Sequence, residues 1–403
     1  MNDARPGRRP RVFIHVGSPK TGTTFLQNVL WSQRELAAEQ GLLLPLDRFG
    51  DHYLASLDVR GLSGRPEHPA RARGIWQRVV RESLAHDGNV LISHELFAAA
   101  TAAQARTAVE AFGDDAEVHV VLTVRDLVRQ LTAEWQEHVK HRSTSTFGDF
   151  VRSVREDADR RSWFWRVQDF PAIAQRWARA VPAERVHVVV VPPAGSPGDV
   201  LWGRFAGLLG LDPTSFDLAV GHSNTSLGVE QAELLRRVNL ELGDRLPLPG
   251  PYPGVVKNLL AHRILAAHRG QRLALDPADA RFGLEASRAM AQRLGAMGAD
   301  VIGSLDELVP DDDVLATATE GAYDPPADER LLAESVAVVA DLLVVVADLR
   351  RVERRHRELV ERLDAAPVRT LLVRASERRP ALARMRRAYR AGRSRLRGDT
   401  DGT

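Results

Sequence analysis

Ile14–Gln27 reads IHVGSPKTGTTFLQ, and this stretch decides the fold. The apolar run around its start, RVFIHVG at 11–17, has the length and β-branched content of a buried strand. Its end leads into residues 23–40, where Phe25, Leu26, Val29, Leu30 and Leu36 recur at helical spacing until Gly41 stops them. Between strand and helix lie Gly17, Ser18, Pro19, Lys20, Thr21, Gly22, Thr23 and Thr24. The glycines permit a tight turn, four hydroxyls add donors, and Lys20 adds a positive charge. A loop so placed exposes backbone N–H groups and the positive end of a helix dipole to an anion. The bland alternative is an ordinary Gly/Thr turn. The common triphosphate loop, G-x-x-x-x-G-K-[ST], needs lysine directly after its second glycine. Here that position is Thr23, and Lys20 precedes Gly22.

Outward from the loop, strand-like and helix-like segments alternate. Residues 42–44, 89–93, 117–124 and 185–191 read as strands, with helices at 70–85, 101–112, 127–141 and 170–180. This alternation predicts crossover units and a central parallel sheet covered on both faces. After about residue 225 the pattern turns helical, at 227–242, 255–268, 284–297 and 329–363.

Composition sets the limits. With 403 residues, 44% of them hydrophobic, the chain can build a core, so wholesale disorder is excluded. The absence of cysteine excludes disulfides, Cys-ligated zinc, iron–sulfur clusters and thiol catalysis. The richest apolar run, Val336–Leu349, is interrupted by Asp341 and Asp348, which argues against a membrane span. The arginine-bearing N-terminus lacks a signal-peptide pattern. A cytoplasmic protein is expected.

The net charge of +2 hides an asymmetry: residues 350–403 hold 17 Arg against 7 Asp and Glu. This basic tail is either a solvated helical end or a contact for an anionic membrane surface or acidic partner. Lysine is scarcer still. Of 55 basic residues only Lys20, Lys140 and Lys257 are lysine. In a chain that uses arginine wherever either suffices, these mark places that need a compact ammonium.

Pro19-Lys20-Thr21-Gly22-Thr23-Thr24 resembles the 5′-phosphosulfate loop, P-K-[ST]-G-[ST]-T, of sulfotransferases that use 3′-phosphoadenosine-5′-phosphosulfate (PAPS), here of a bacterial type. The resemblance spans about residues 11–215. It implies a P-loop NTPase-like three-layer α/β/α core at 10–225 with a central parallel sheet. A helical C-terminal region at 226–366 would pack on or cover that core, and 367–403 would be a partly disordered basic tail. It also implies a PAPS site formed by Ser18, Pro19, Lys20, Thr21, Gly22, Thr23, Thr24 and Arg125. Arg125 ends the strand 118–124, as does the family's 3′-phosphate arginine. The family carries serine eight residues further on, where this chain has Ala133; Thr132 is the candidate substitute. Ser93-His94-Glu95 resembles the region where carbohydrate-directed members keep a glutamate base, which makes Glu95 the candidate base and His94 the fallback. A glutamate that merely starts the next helix is the rival reading. All three elements follow strands, so they fall on one sheet edge, where open α/β sheets bind ligands.

Weaker features remain. Trp135–Arg142 extends the helix after Arg125 and could line an acceptor. His138 and His141 have metal-pair spacing but no evident third ligand, so no metal is expected. Trp163, Phe164 and Trp165 read as core, or as a stacking surface for a sugar or aromatic acceptor. Asn224-Thr225-Ser226-Leu227 reads as a helix N-cap. That segment and Val255-Val256-Lys257 resemble late family segments, with Lys257 in reach of a 3′-phosphate. The function implied is sulfuryl transfer from PAPS to a hydroxyl or amine of a carbohydrate, lipid or natural product, releasing adenosine 3′,5′-bisphosphate. Nucleic-acid binding is not expected. A P-loop phosphotransferase using ATP and a non-catalytic nucleotide-binding protein are the other classes.

Overall fold

Six strands, β1 (Arg11–His15), β2 (Leu42–Leu43), β3 (Asn89–Ser93), β4 (Glu117–Val124), β5 (Val186–Val190) and β6 (Asp300–Ile302), build the sheet of the computed structural model. The structure describes residues 9–221, 226–248, 250–310 and 313–364. All strand pairs are parallel, in the order β2-β3-β1-β4-β5-β6. From β1 the chain winds first toward β2 and β3, then back past β1 to β4, β5 and β6. The winding reverses at β1, which opens a crevice beyond the carboxyl ends of β3, β1 and β4.

The strands are buried almost throughout, as their unbroken apolar runs require. On one face Phe13, Leu91, Val121 and Val189 pack with Leu26, Val29 and Leu30 from the helix Thr23–Ser32 and with Trp202 and Phe205 from the helix Val200–Leu208. Each such large side chain contributes about 2 kcal/mol of transfer free energy. On the other face, Trp177 from the helix Phe170–Trp177 stands edge-on to Phe97, and Phe97 and Phe112 flank Trp76. The architecture is therefore a three-layer α/β/α sandwich.

Several elements differ from the periodicity reading. The first helix is two helices, Thr23–Ser32 and Arg34–Glu39, broken at Gln33. Short helices at Asp51–Val59, Phe147–Glu156, Trp163–Gln168 and Val200–Leu208 are additional. Segment 255–268 is a π-helix, Pro253–Ile264, closed by one 3-10 turn, Leu265–Ala267. β6 arises within the stretch that reads as helical and pairs with β5. The helix expected at 227 starts at Val229, with Gly228 at its N-cap. Asn224 and Thr225, read as its cap, lie outside the described residues, as does the tail 367–403.

The chain divides into two compact units, Met1–Glu334 and Ser335–Thr403. The sheet and all elements named so far belong to the first. A helix of 37 residues, Asp328–Asp364, spans the division point. Among the described residues, no helix is long and apolar enough to cross a membrane.

Candidate active site

The loop after β1 is held down by the strands beside it. Val16 N–H donates to Val121 O at 2.9 Å and Ser18 N–H to Thr123 O at 3.0 Å. Below it runs a buried polar rung. His15 Nδ1 meets Ser93 Oγ at 2.8 Å, and His15 Nε2 meets Thr123 Oγ1 at 3.2 Å, so one ring joins β3, β1 and β4. Thr21 Oγ1 adds a 2.6 Å contact to Thr123 Oγ1. Complete burial pushes His15 down to about 3. The ring is therefore neutral and works as a cross-brace.

The loop turns through positive φ at Gly17 (83°), Lys20 (63°) and Gly22 (83°). Glycine at 17 is required twice. A Cβ there would lie 2.6 Å from Glu95 Cα, so only glycine lets the loop and the end of β3 approach so closely. Gly22 is the N-cap of the helix Thr23–Ser32, which has no side-chain cap. The N–H groups of its first turn have no intrahelical acceptor. Pro19 O is anchored from behind by Gln130 Nε2 (2.9 Å) and Gln168 Nε2 (3.2 Å), and Lys20 O by Arg125 Nη1 (3.0 Å).

Four buried polar atoms at this junction have no hydrogen-bond partner among the described residues: Ser18 Oγ, Glu95 Oε2, Arg125 Nε and Gln130 Oε1. Orphaned buried polar atoms are costly, and a cluster of them marks a place completed by a group outside the described residues. Burial lowers the Arg125 guanidinium to about 10, still charged at neutral pH. The residues fit an anionic ligand: backbone donors, a hydroxyl, an ammonium and a guanidinium, around a loop with no Cβ at Gly17 and Gly22.

A cleft of about 1170 Å³ opens over the loop. Pro19, Lys20, Gly22, Thr23, Thr24, His94, Glu95 and Arg125 line it, so the sheet edge brings these sequence candidates together. Ser18 and Thr21 sit beneath the loop surface. Thr132 is not brought in. Its hydroxyl donates to Arg129 O at 3.0 Å, and the helix presents Ala133 to the cleft instead.

All three lysines of the chain line this one cleft. Lys20 Nζ donates to Glu137 Oε2 at 2.5 Å and Lys257 Nζ to Glu137 Oε1 at 2.7 Å. Lys257 Nζ also lies 2.6 Å from His141 Nε2. Burial works against the Glu137 carboxylate, but His141 and the two ammonium groups outweigh it and hold the carboxyl far below its usual range. Burial pushes Lys140 down to about 8. Lys257 sits on the π-helix, an element rare enough to be found mostly at functional positions.

Glu134, one turn before Glu137, also lines the cleft and is not singled out by the sequence reading. Burial raises its carboxyl to about 7, against the pull of Lys20, and Gln168 Nε2 donates to its Oε1 at 2.9 Å. The available signal was the pair of carboxylates three apart on the helix after Arg125. Within Trp135–Arg142, Gln136, Glu137, His138, Lys140, His141 and Arg142 face the cleft, while Trp135 is buried against Phe147. Phe164 and Trp165 are core. Trp163 is 41% exposed on the cleft wall, with the Arg60 guanidinium 5.4 Å from its ring.

His94 and Glu95 play different parts. His94 Nδ1 accepts the Leu96 N–H at 3.1 Å, so His94, not Glu95, caps the turn Glu95–Ala99. A ring whose Nδ1 accepts carries its proton on Nε2. Burial also lowers its pKa.

No protein-family model matches the chain, and no curated protein matches it. Among solved structures, a sulfotransferase from Alicyclobacillus acidocaldarius is similar, at 17% identity and a TM-score of 0.35. The match covers 54% of this chain and 85% of that one.

Proposed function

We propose that this chain is a sulfotransferase that moves the sulfuryl group of PAPS to a hydroxyl or amine acceptor. One observation carries the reading: the P-K-T-G-T-T loop, the orphaned Arg125 Nε and Glu95 Oε2, and every lysine of the chain meet in a single cleft. Bound there, PAPS supplies an activated sulfuryl group on its 5′-phosphate. The loop N–H groups and Lys20 hold the 5′ end and offset the negative charge that grows on the oxygen bridging sulfur and phosphorus. Arg125, whose Nη1 already braces Lys20 O, has its Nε left for the 3′-phosphate, which orients the nucleotide.

Glu95 takes the proton of the acceptor as its oxygen or nitrogen bonds to sulfur. The bond from sulfur to the 5′-phosphate oxygen breaks, and adenosine 3′,5′-bisphosphate leaves. The Glu95 assignment is supported by its unpartnered Oε2 and by the capping bond that commits His94 Nδ1.

Calorimetric titration tests the nucleotide half. The expected result is tight binding of adenosine 3′,5′-bisphosphate, with AMP at least tenfold weaker. In Arg125→Ala that preference should collapse. Equal losses for both nucleotides would leave Arg125 only a brace for the loop, and binding of magnesium-ATP in place of the bisphosphate would turn the reading to phosphoryl transfer.

A further inference from the structure

The helix Asp328–Asp364 carries an apolar stripe that the other described residues leave exposed. Leu332, Val336, Val339, Leu343 and Val346 recur at spacings of four and three, so they share one face. Each is exposed, by 45% to 66%. The aspartates that interrupt this run, Asp341 and Asp348, lie on the opposite face by the helical period.

The ends of the stripe are charged with opposite sign. Asp328 and Glu329 precede it. After it, residues 350–357 hold five arginines and one glutamate. A stripe that is acidic, apolar and then basic complements itself when a second copy runs antiparallel. The basic turns of each helix then cover the acidic start of the other, and the valines and leucines meet at the centre. A parallel pair would set acid against acid and arginine against arginine. Two such stripes bury on the order of 1,000 Å², the size at which specific interfaces begin. The contact would be isologous, the same patch used by both copies.

We propose that this face is a homodimer interface, formed by antiparallel pairing of Asp328–Asp364 with the same helix of a second copy. The proposal does not depend on what the cleft does.

The full-length chain tests it by light scattering across a range of concentrations. The expected result is a dimer that Val339→Glu with Leu343→Glu converts to monomer, with unchanged circular dichroism, since both side chains are exposed. Orientation follows from cross-linking, because the protein has no cysteine of its own. Leu332→Cys mixed with Val346→Cys should form a disulfide between the two chains, and Leu332→Cys alone should not. A monomer at every concentration overturns the proposal. So does a Leu332→Cys self-link, which reports a parallel pair. A monomer that instead sediments with anionic vesicles, and stops doing so in the double variant, would assign the face to a lipid surface.

Discussion

Glu137 binds Lys20 and Lys257 at once, through separate oxygens at 2.5 and 2.7 Å. The lysine of the anion loop is thus neutralised by a carboxylate from the helix after β4. Under the proposed function, the phosphate or sulfate group of the ligand competes with Glu137 for Lys20. Glu137→Gln removes that competitor while keeping the shape of the side chain. The bisphosphate should bind several-fold more tightly to this variant, with a flatter dependence on salt, as titration at two ionic strengths will read. Weaker binding would mean that Glu137 orients Lys20 rather than occupying it.

Among the described residues, the Lys20 side chain hydrogen-bonds to Glu137 on the cleft wall, so its removal should spare the fold. Lys20→Ala should lose about 10²–10³ in turnover, the scale for removing one stabiliser of developing negative charge. Lys20→Arg should recover little, because a planar fork does not replace a compact ammonium. Thermal melts alongside sulfuryl-transfer assays separate the two effects, and full turnover in either variant would remove Lys20 from the reaction.

Gly17→Ala places a methyl group against Glu95 Cα at a backbone angle that alanine resists. The expected cost is about 3 kcal/mol of stability. Glu95 should also be displaced, so activity should fall further than nucleotide affinity. A variant that melts normally and turns over normally would show that the loop and β3 move apart freely.

Acid should destabilise the protein as two buried histidines are forced to take up protons. Burial holds His15 near 3 and His52 near 4, while both rings take up protons near 6.5 once unfolded. Their contribution is fully present above pH 6.5 and is lost as pH falls from there toward the folded values. Between pH 7 and 5 each ring should cost about 2 kcal/mol. Urea midpoints over that interval should show the decline, and His15→Gln or His52→Gln should each make it shallower.

Much of the core is legible in the chain. β3 and β4 fall on residues 89–93 and 117–124, where the apolar runs place them. The loop, Glu95 and Arg125 share one sheet edge because each follows a strand, a relation that periodicity suffices to show. The rest depends on distant partners. β6 is three residues long and is a strand only because β5 lies beside it. The segment 255–268 reads as a helix, but its π winding is not visible in the sequence pattern. Glu134 and Glu137 look like ordinary surface carboxylates of a helix until Gln168, Lys20 and Lys257 arrive from elsewhere. Scarcity of lysine was the one compositional signal that pointed at the cleft.

The late arrival of β6 bears on how the protein is made. About 110 residues separate it from β5 in the chain, so a nascent polypeptide exposes the outer edge of β5 long after the first five strands can pair. At 5–20 residues per second this lasts roughly 5–20 s. An unpaired parallel edge invites association with other chains for that whole interval. Messages truncated before codon 300 should therefore yield aggregating products even though they encode the entire loop, Glu95 and Arg125.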